Sequence, residues 1–153
     1  MTGTEAQRIM DALRRIVREL RLADHSSESE LGLGAAQVFV LRQLLARADQ
    51  SMSELAAATR TSQSSVSEVV ARLVARGLVE RHTAPEDRRR AVLSITATGR
   101  RVAARATLTI QERLLAGLEQ LDREQRTALA ADMEAWLAAA GLTDVPPTMF
   151  FEP

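Results

Sequence analysis

Residues 51–96 read SMSELAAATRTSQSSVSEVVARLVARGLVERHTAPEDRRRAVLSIT, and this stretch decides the fold. Its first part predicts two short helices, from Met52 to Ala58 and from about Ser62 to Arg76, with a three-residue break between them. Ser51 and Glu54 have the spacing of a capping box, in which the serine accepts from the first turn and the glutamate reaches back. Two short helices joined by so tight a break predict a helix-turn-helix.

The second part of the stretch predicts a β-hairpin. Leu78 to Thr83 and Ala91 to Ile95 are rich in β-branched residues, and the polar tip from Ala84 to Arg90 contains Pro85. Gly77 supplies the left-handed conformation that ends the preceding helix. A helix-turn-helix followed by such a hairpin is a winged helix, and here three consecutive arginines lie in the wing.

The rest of the chain predicts further helices, because apolar residues recur there at helical spacing. We expect one helix from about Glu5 to Ala23, a loop over His25 to Gly34, and a second helix from about Ala35 to Ala48. A long helix is expected from Thr96 to Leu121, and a last one from Asp122 to Gly141. The predicted fold class is therefore mainly α with a small β wing.

Charge is unevenly distributed along the chain. The net charge is +0, with 20 basic residues, all of them arginine, and 20 acidic residues. Residues 72–105 contain nine arginines and three acidic residues, whereas residues 107–153 contain three arginines and eight acidic residues. The basic region has the charge needed to dock a phosphate backbone. Ordinary surface patchiness is the alternative interpretation.

The second helix of the pair has an apolar face and a polar end. A helix that enters a major groove end-first needs short side chains for close approach. Gln63 has the donor and acceptor that bind adenine bidentately. The candidate DNA contacts on this helix are Ser62, Gln63, Ser64, Ser65, Ser67, Glu68 and Arg72. A serine-rich cap on an ordinary core helix is the alternative.

The wing carries concentrated positive charge, and its candidate DNA contacts are Asp87, Arg88, Arg89 and Arg90. Three adjacent arginines repel one another, and only two acidic residues stand beside them. A narrow minor groove has an enhanced negative potential that attracts arginine. Asp87 can brace the tip by pairing with an arginine or by capping the turn. A solvated charged loop is the alternative.

These segments resemble the MarR family of transcriptional regulators, and the likeness extends over nearly the full chain. The family's wing pattern, D-x-R followed by a short strand and Leu-Thr, stands here as DRRRAVLSIT (87–96), with Ile95 in place of leucine. The segments SELA (53–56), VS (66–67) and LVARGLVER (73–81) also match. Together these motifs are more specific than a helix-turn-helix alone.

The resemblance implies a homodimer with two winged helix-turn-helix lobes on a base of interlocked terminal helices. It divides the chain into a helical dimerisation region (1–33 and 97–145), a DNA-binding domain (34–96) and a C-terminal tail (146–153). It also implies that Arg89 enters the minor groove and that Asp87 orients it. Glu68 departs from the basic or neutral residue of many relatives, so the preferred DNA sequence stays open.

We therefore expect a dimeric, sequence-specific transcriptional regulator, most simply a repressor, that binds double-stranded DNA at an inverted repeat. The resemblance further implies a cleft where a small anionic or aromatic effector weakens DNA binding. Arg14, Arg18 and Phe39 are the candidate ligand-binding residues, with surface charge and core packing as the alternatives. The alternative functions are a winged-helix protein-interaction module and a DNA-binding protein that responds to no ligand.

The chain contains few residues of the types that catalyse reactions or bind metals. The chain has no cysteine, which excludes disulfides and thiolate metal sites. It has no G-x-S-x-G motif, and only His25 and His82 offer an imidazole base. We expect no enzyme, no cofactor and no metal site. The first residues lack a basic start followed by an apolar run, and no segment is apolar enough for a bilayer, so we expect a cytoplasmic protein without membrane contact.

Overall fold

A computed structural model describes residues 3–150, which form seven helices and one two-stranded sheet. The helices are α1 (Gly3–Leu31), α2 (Ala35–Ala46), α3 (Met52–Thr59), α4 (Gln63–Ala75), α5 (Ala97–Arg105), α6 (Ile110–Gln120) and α7 (Arg123–Ala139), and the strands are β1 (Val79–Ala84) and β2 (Asp87–Ile95). The mainly α fold with a small β wing is confirmed. Residues 151–153 of the predicted tail lie outside the described range. Every helix within residues 3–150 is too short or too polar to cross a membrane.

The hydrophobic core lies between α2, α3, α4 and the base of the wing. The apolar stripe of α4 is confirmed, since four of its side chains are 0% exposed: Val66, Val69, Val70 and Leu73. Complete burial of such a side chain contributes about 1.5–3 kcal/mol, so this stripe anchors α4 firmly. Leu45 and Val74 also occupy apolar positions of the helical pattern, but they lie near the C-terminal ends of α2 and α4 and are 38% and 36% exposed.

The helix-turn-helix begins and ends at the expected signals. Ser51 Oγ accepts from the Glu54 amide at 3.2 Å, and Glu54 Oε2 accepts from the Ser51 amide at 2.8 Å. Arg60, at φ 55°, ends α3 in the left-handed conformation. Ser62 Oγ then accepts from the Ser65 amide at 3.3 Å and begins α4. Both helices are therefore fixed by side-chain caps as well as by packing.

The wing is an antiparallel hairpin with an irregular register. Thr83 pairs with Ala91, but the next residue, Ala84, pairs with Asp87. Residues 88–90 consequently have no partner on β1. We call them the arginine bulge. The expected start of β2 at Ala91 is wrong, because the strand continues through this bulge to Asp87. The arginines lie beside the turn rather than at its tip.

The loop between α2 and α3 fastens the base of the wing to the helix-turn-helix. Gln50 and Leu93 exchange backbone hydrogen bonds of 2.8 and 3.2 Å. Ser94 Oγ donates to Asp49 Oδ1, and the same carboxylate oxygen lies 3.5 Å from His82 Nε2. Backbone and side-chain contacts thus join β2, at Leu93 and Ser94, to the loop between α2 and α3.

The predicted loop over residues 25–34 is wrong for most of its length, because α1 continues to Leu31. The helix ends at Gly32, whose φ of 64° suits a C-terminal glycine. Asp24 Oδ1 accepts from the Ala35 amide at 2.8 Å and so supports the start of α2. The serine- and glycine-rich composition suggested a loop, but only the glycine actually interrupts the helix.

The single long helix expected from Thr96 to Leu121 is also wrong, because α5 and α6 are separate. Thr109 and Glu112 form a capping box that begins α6, with Glu112 Oε2 accepting from the Thr109 amide at 2.7 Å. Arg42 Nη1 donates to the Ala106 carbonyl at 3.1 Å, just after α5. Arg42 Nε also lies 2.7 and 2.9 Å from the two Glu112 oxygens. This partly buried pair attaches α6, and the segment between α5 and α6, to α2.

The terminal helices α1 and α7 keep many apolar side chains at the surface. Leu20 is the buried residue of α1, and no residue of α7, all of which is described, is buried. The apolar side chains that are at least 38% exposed on these two helices include Ile9, Met10, Ile16, Leu129, Met133, Trp136 and Leu137. An amphipathic helix with no buried face is marginally stable in water, since packing supplies most helix stability.

Candidate nucleic-acid interface

The N-terminal end of α4 is polar and open to solvent. Ser62, Gln63 and Ser64 are all exposed. Ser62 Oγ lies 3.0 Å from Ser64 Oγ, so these hydroxyls form a small local network. No side-chain hydrogen bond within residues 3–150 occupies Gln63. Its amide therefore presents a donor and an acceptor side by side, which is the arrangement that matches an adenine edge.

Ser65 does not share this exposure, although the sequence predicted a groove-facing position for it. Its side chain is buried at 8% exposure, and its Oγ lies 2.9 Å from Ser62 Oγ. The helical position of Ser65 turns it towards the core beside Val66. Ser65 supports the cap of α4 and is removed from the set of candidate DNA contacts.

Ser67, Glu68 and Arg72 continue the polar face of α4 by one to two turns. Glu68 is exposed, whereas Ser67 and Arg72 are half-buried. A carboxylate in a major groove accepts from cytosine N4 and repels nearby phosphates. Glu68 is thus the one anionic side chain among the candidate residues of α4, and it is a candidate determinant of sequence preference.

The arginine bulge presents two exposed guanidinium groups. Arg88 and Arg89 are exposed, and neither has an ion pair within residues 3–150. Asp87 Oδ1 accepts from the Arg89 backbone amide at 2.9 Å. Of the two roles expected for Asp87, the structure therefore contains the backbone cap and leaves both guanidinium groups unneutralised. Such groups suit contacts to phosphates or to a narrow minor groove.

Arg90 differs from its two neighbours, although the sequence predicted a DNA contact for all three arginines. Its Nη2 donates to Glu54 Oε2 at 2.7 Å, and its Nη1 lies 3.8 Å from Glu86 Oε1. The side chain is 39% exposed. Arg90 therefore forms an ion pair that joins the wing to α3. Unlike Arg88 and Arg89, its guanidinium group is already bound to a carboxylate of the protein.

Glu54 is a residue whose second role the sequence did not reveal. Its Oε1 accepts from Arg47 Nη2 at 3.0 Å while its Oε2 binds both Ser51 and Arg90. The backbone hydrogen bond from Ser51, followed by the side-chain bond from Arg90, lowers the pKa of Glu54 from 4.5 to about 2. The capping box is visible in the sequence, but no local pattern links Glu54 to a residue 36 positions away.

The candidate ligand-binding residues do not form a single site. Arg14 is exposed and pairs with Asp11 at 2.8 Å, Arg18 is exposed on the same helix, and Phe39 is 1% exposed inside the core. A cavity of about 80 Å³ lies between α1, the start of α2 and the segment that joins α5 to α6. None of the three candidates lines it.

A comparison with models of known protein families finds a match, and it covers the winged-helix region. A model of the MarR family matches residues 31–90, from the end of α1 to the last arginine of the bulge. Over residues 31–90 the chain is therefore similar to the MarR family. The resemblance that the wing and helix motifs indicated is thereby confirmed, and the matched range contains all the candidate DNA contacts.

Solved structures extend the MarR likeness to most of the remaining chain. A MarR variant from E. coli in complex with operator DNA gives a TM-score of 0.60 at 21% identity, covering 90% of this chain and 99% of that one. The regulator BldR from Sulfolobus solfataricus gives 0.57 at 22%, covering 91% and 99%. BpsR from Bordetella bronchiseptica gives 0.57 at 24%, covering 84% and 91%. These likenesses establish a common MarR fold. A search of curated proteins found no match.

Proposed function

We propose that this protein is a dimeric, sequence-specific DNA-binding transcriptional regulator that acts as a repressor. The proposal rests on the exposed polar end of α4 together with the two unneutralised arginines of the bulge. The first feature suits base edges in a major groove, and the second suits phosphates and the minor groove. The E. coli MarR variant of the same fold was solved with operator DNA, which supports this use of the fold.

In this proposal α4 discriminates between DNA sequences. Gln63 and Ser64 meet base edges near the start of the helix, and Glu68 adds an acceptor one turn later. The positive end of the helix dipole favours the phosphates that flank the groove. Because this end carries almost no charge of its own, its contribution depends on hydrogen bonds of correct geometry. We therefore assign sequence preference to α4.

The arginine bulge supplies the electrostatic part of the affinity. A guanidinium that neutralises a phosphate releases a condensed counterion, and this makes binding depend strongly on salt. Arg88 and Arg89 have the exposure that such contacts need, and neither forms an ion pair within residues 3–150. By analogy with the MarR family, Arg89 enters the minor groove, while its backbone stays fixed by Asp87.

A second copy of the chain covers the exposed apolar faces of α1 and α7 in this proposal. Trp136 and Leu137 are 38% and 41% exposed, although both belong to the apolar side of α7. Burial against a partner would stabilise a helix of which no residue is buried within the described residues 3–150. Such a dimer sets two copies of α4 about 34 Å apart, which fits half-sites separated by one helical turn.

We further propose that a small anionic or aromatic compound relieves DNA binding. The DNA binding of BpsR, which has this fold, is regulated by 6-hydroxynicotinic acid. The cavity of about 80 Å³ is smaller than the roughly 150 Å³ that holds benzene, so an aromatic effector requires a wider arrangement. The effector would weaken DNA binding by binding this wider arrangement more tightly than the arrangement that binds DNA. Arg14 and Arg18 are candidates for its anionic group, and Phe39 contacts it only if the core opens.

Selection from random double-stranded oligonucleotides tests the proposed function. The expected product is an inverted repeat with half-sites about one turn apart, bound by a dimer. Binding to the selected site is then repeated with phenolic acids, which should weaken it. Enrichment without any ligand effect would indicate a DNA-binding protein that senses no phenolic acid. Failure to enrich any sequence, or to bind DNA at low salt, would contradict the proposal and favour a protein-interaction module.

A further inference from the structure

In the arginine bulge, Arg90 binds a carboxylate of the protein, whereas Arg88 and Arg89 are exposed to solvent. Arg90 and Glu54 make a 2.7 Å contact, and their side chains are 39% and 29% exposed. Glu86 lies farther from Arg90, at 3.8 Å. Arg88 and Arg89 lack any comparable partner within residues 3–150. Exposed ion pairs contribute little to stability on their own, so the importance of this pair depends on what it positions.

The carboxylate of Glu54 is also held by two groups that do not belong to the wing. The Ser51 amide donates to Oε2 at 2.8 Å, and Arg47 Nη2 donates to Oε1 at 3.0 Å. These bonds attach the group to the first turn of α3 and to the end of α2. A pKa lowered to about 2 keeps the carboxylate ionised in any ordinary DNA-binding buffer. Arg90 therefore meets a carboxylate that Ser51 and Arg47 also hold, and its own bond contributes to the low pKa.

The location of this contact along the wing is important. The ladder between β1 and β2 is regular as far as Thr83 and Ala91, and then residues 88–90 lose their partners. The backbone pairing of Gln50 with Leu93 holds β2 only on the side of Ala91 that is farther from the turn. Arg90 is the residue of the bulge that adjoins Ala91, where the regular pairing between β1 and β2 ends. Its bond to Glu54 thus fastens the bulge to the helix-turn-helix at the point where backbone pairing stops.

The geometry points to Glu54 as a positioning residue for the wing, which holds Arg90 so that Arg88 and Arg89 face DNA in a fixed arrangement. This inference rests on the proposed DNA-binding function. Without the carboxylate, three adjacent guanidinium groups repel one another and the bulge samples more conformations. Ordering such a loop when DNA binds reduces affinity, because the conformational entropy is lost at that moment.

Limited proteolysis tests this inference without DNA. Trypsin cleaves this chain only after arginine, because there is no lysine, and mass spectrometry identifies each cut. In Glu54→Gln, an amide replaces the carboxylate and retains an oxygen that accepts from Ser51, as capping boxes with glutamine do. We expect cleavage after Arg88 and Arg89 to become several-fold faster than in the wild type, with only a small fall in the melting temperature because the lost ion pairs are exposed.

Arg47→Ala is the matched control, since it removes the other cationic partner of Glu54 but leaves Arg90 in place. Cleavage after Arg88 and Arg89 should keep its wild-type rate in this variant. Equal cleavage rates in Glu54→Gln and the wild type would overturn the inference. So would an increase of the same size in Arg47→Ala, because general loosening of α3 would then explain it.

A double-mutant cycle on the selected DNA site provides the functional test. Glu54→Gln should weaken binding roughly tenfold in the wild-type background, on the scale expected for ordering two long side chains. In an Arg89→Ala background the same substitution should have a clearly smaller effect, because one of the positioned side chains is absent. Equal losses in the two backgrounds would mean that Glu54 does not act through the wing and would overturn the inference.

The two tests also separate this inference from the proposed function. If the wild-type protein binds no DNA, the proposed function fails, whereas the proteolysis result still decides whether Glu54 holds the bulge. If the wild type binds DNA and the two substitutions are additive, the proposed function stands and the positioning role of Glu54 fails.

Discussion

Leu55 and Leu73 in the winged-helix region are 0% exposed, whereas Leu129 and Leu137 in α7 are 41% exposed. The same residue type thus completes a core in one region and remains at the surface in the other. The winged helix buries its apolar stripe within a single chain. The terminal helices leave theirs uncovered, so the stability of the first region should not depend on protein concentration, whereas that of the second should.

Deletion of residues 1–22 should have the largest effect on this contrast. It removes most of the apolar stripe of α1, and we expect it to abolish the dimer, as measured by light scattering. Operator affinity should collapse with it, because two linked half-sites bind far more tightly than one. The winged helix should stay folded, as circular dichroism would show, since its core lies outside the deleted segment.

Glu134→Gln is a suitable control for the deletion, because it changes an exposed polar residue of α7 and removes no apolar surface. This variant should remain dimeric at every concentration at which the wild type is a dimer. A truncated protein that is still dimeric would show that α1 is not needed to cover the exposed faces, and the assignment of the terminal helices to dimerisation would have to change.

Two leucine substitutions, one in the winged-helix core and one in α7, test the same difference between the two regions and should have smaller effects than the deletion. Leu73→Ala leaves a cavity in the winged-helix core and should lower the free energy of unfolding by about 2–5 kcal/mol at any protein concentration. Leu137→Ala should act mainly on the monomer–dimer equilibrium, so its effect on the melting temperature should be largest at high protein concentration and should disappear once both proteins are diluted to monomers. Thermal unfolding at several concentrations measures both. Indistinguishable concentration dependence would contradict the proposed difference between the regions.

Gln63→Ala should change DNA recognition without changing stability. Loss of a bidentate contact reduces discrimination between operator and random DNA by about 1–3 kcal/mol, while random binding, which rests on phosphates, should change little. Fluorescence anisotropy with both DNAs measures the two affinities. Ser65→Ala offers an informative comparison, because Ser65 is buried and should affect the cap more than discrimination. Equal losses on both DNAs would argue against base readout by Gln63.

Local signals in the sequence predicted the winged helix well. The Ser51–Glu54 capping box, the stripe beginning at Val66 and the glycine stop at Gly77 each act within a few residues. They require no knowledge of the rest of the fold, and the structure contains all three. The MarR resemblance rested on the same region, and the family model matches it.

Errors arose where distant contacts or composition decided the outcome. Serine-rich residues after His25 suggested a loop, although the helix simply continues to the glycine that ends it. The break between α5 and α6 is supported by Arg42, which lies about 70 residues before Glu112 in the chain. The pairing of Arg90 with Glu54 is likewise invisible to local pattern. Contacts at such separations follow from packing, which sequence periodicity does not encode.

The salt dependence of operator binding tests the central claim most directly, namely that the arginine bulge supplies the electrostatic affinity for DNA. Affinities of the wild type and Arg89→Ala are measured from low to high salt, with Arg123→Ala, in the acidic C-terminal region, as the control. We predict a steep wild-type decline, a loss of roughly 1–3 kcal/mol in Arg89→Ala with a shallower slope, and wild-type behaviour of the control. Identical affinities and slopes for the wild type and Arg89→Ala would contradict the claim.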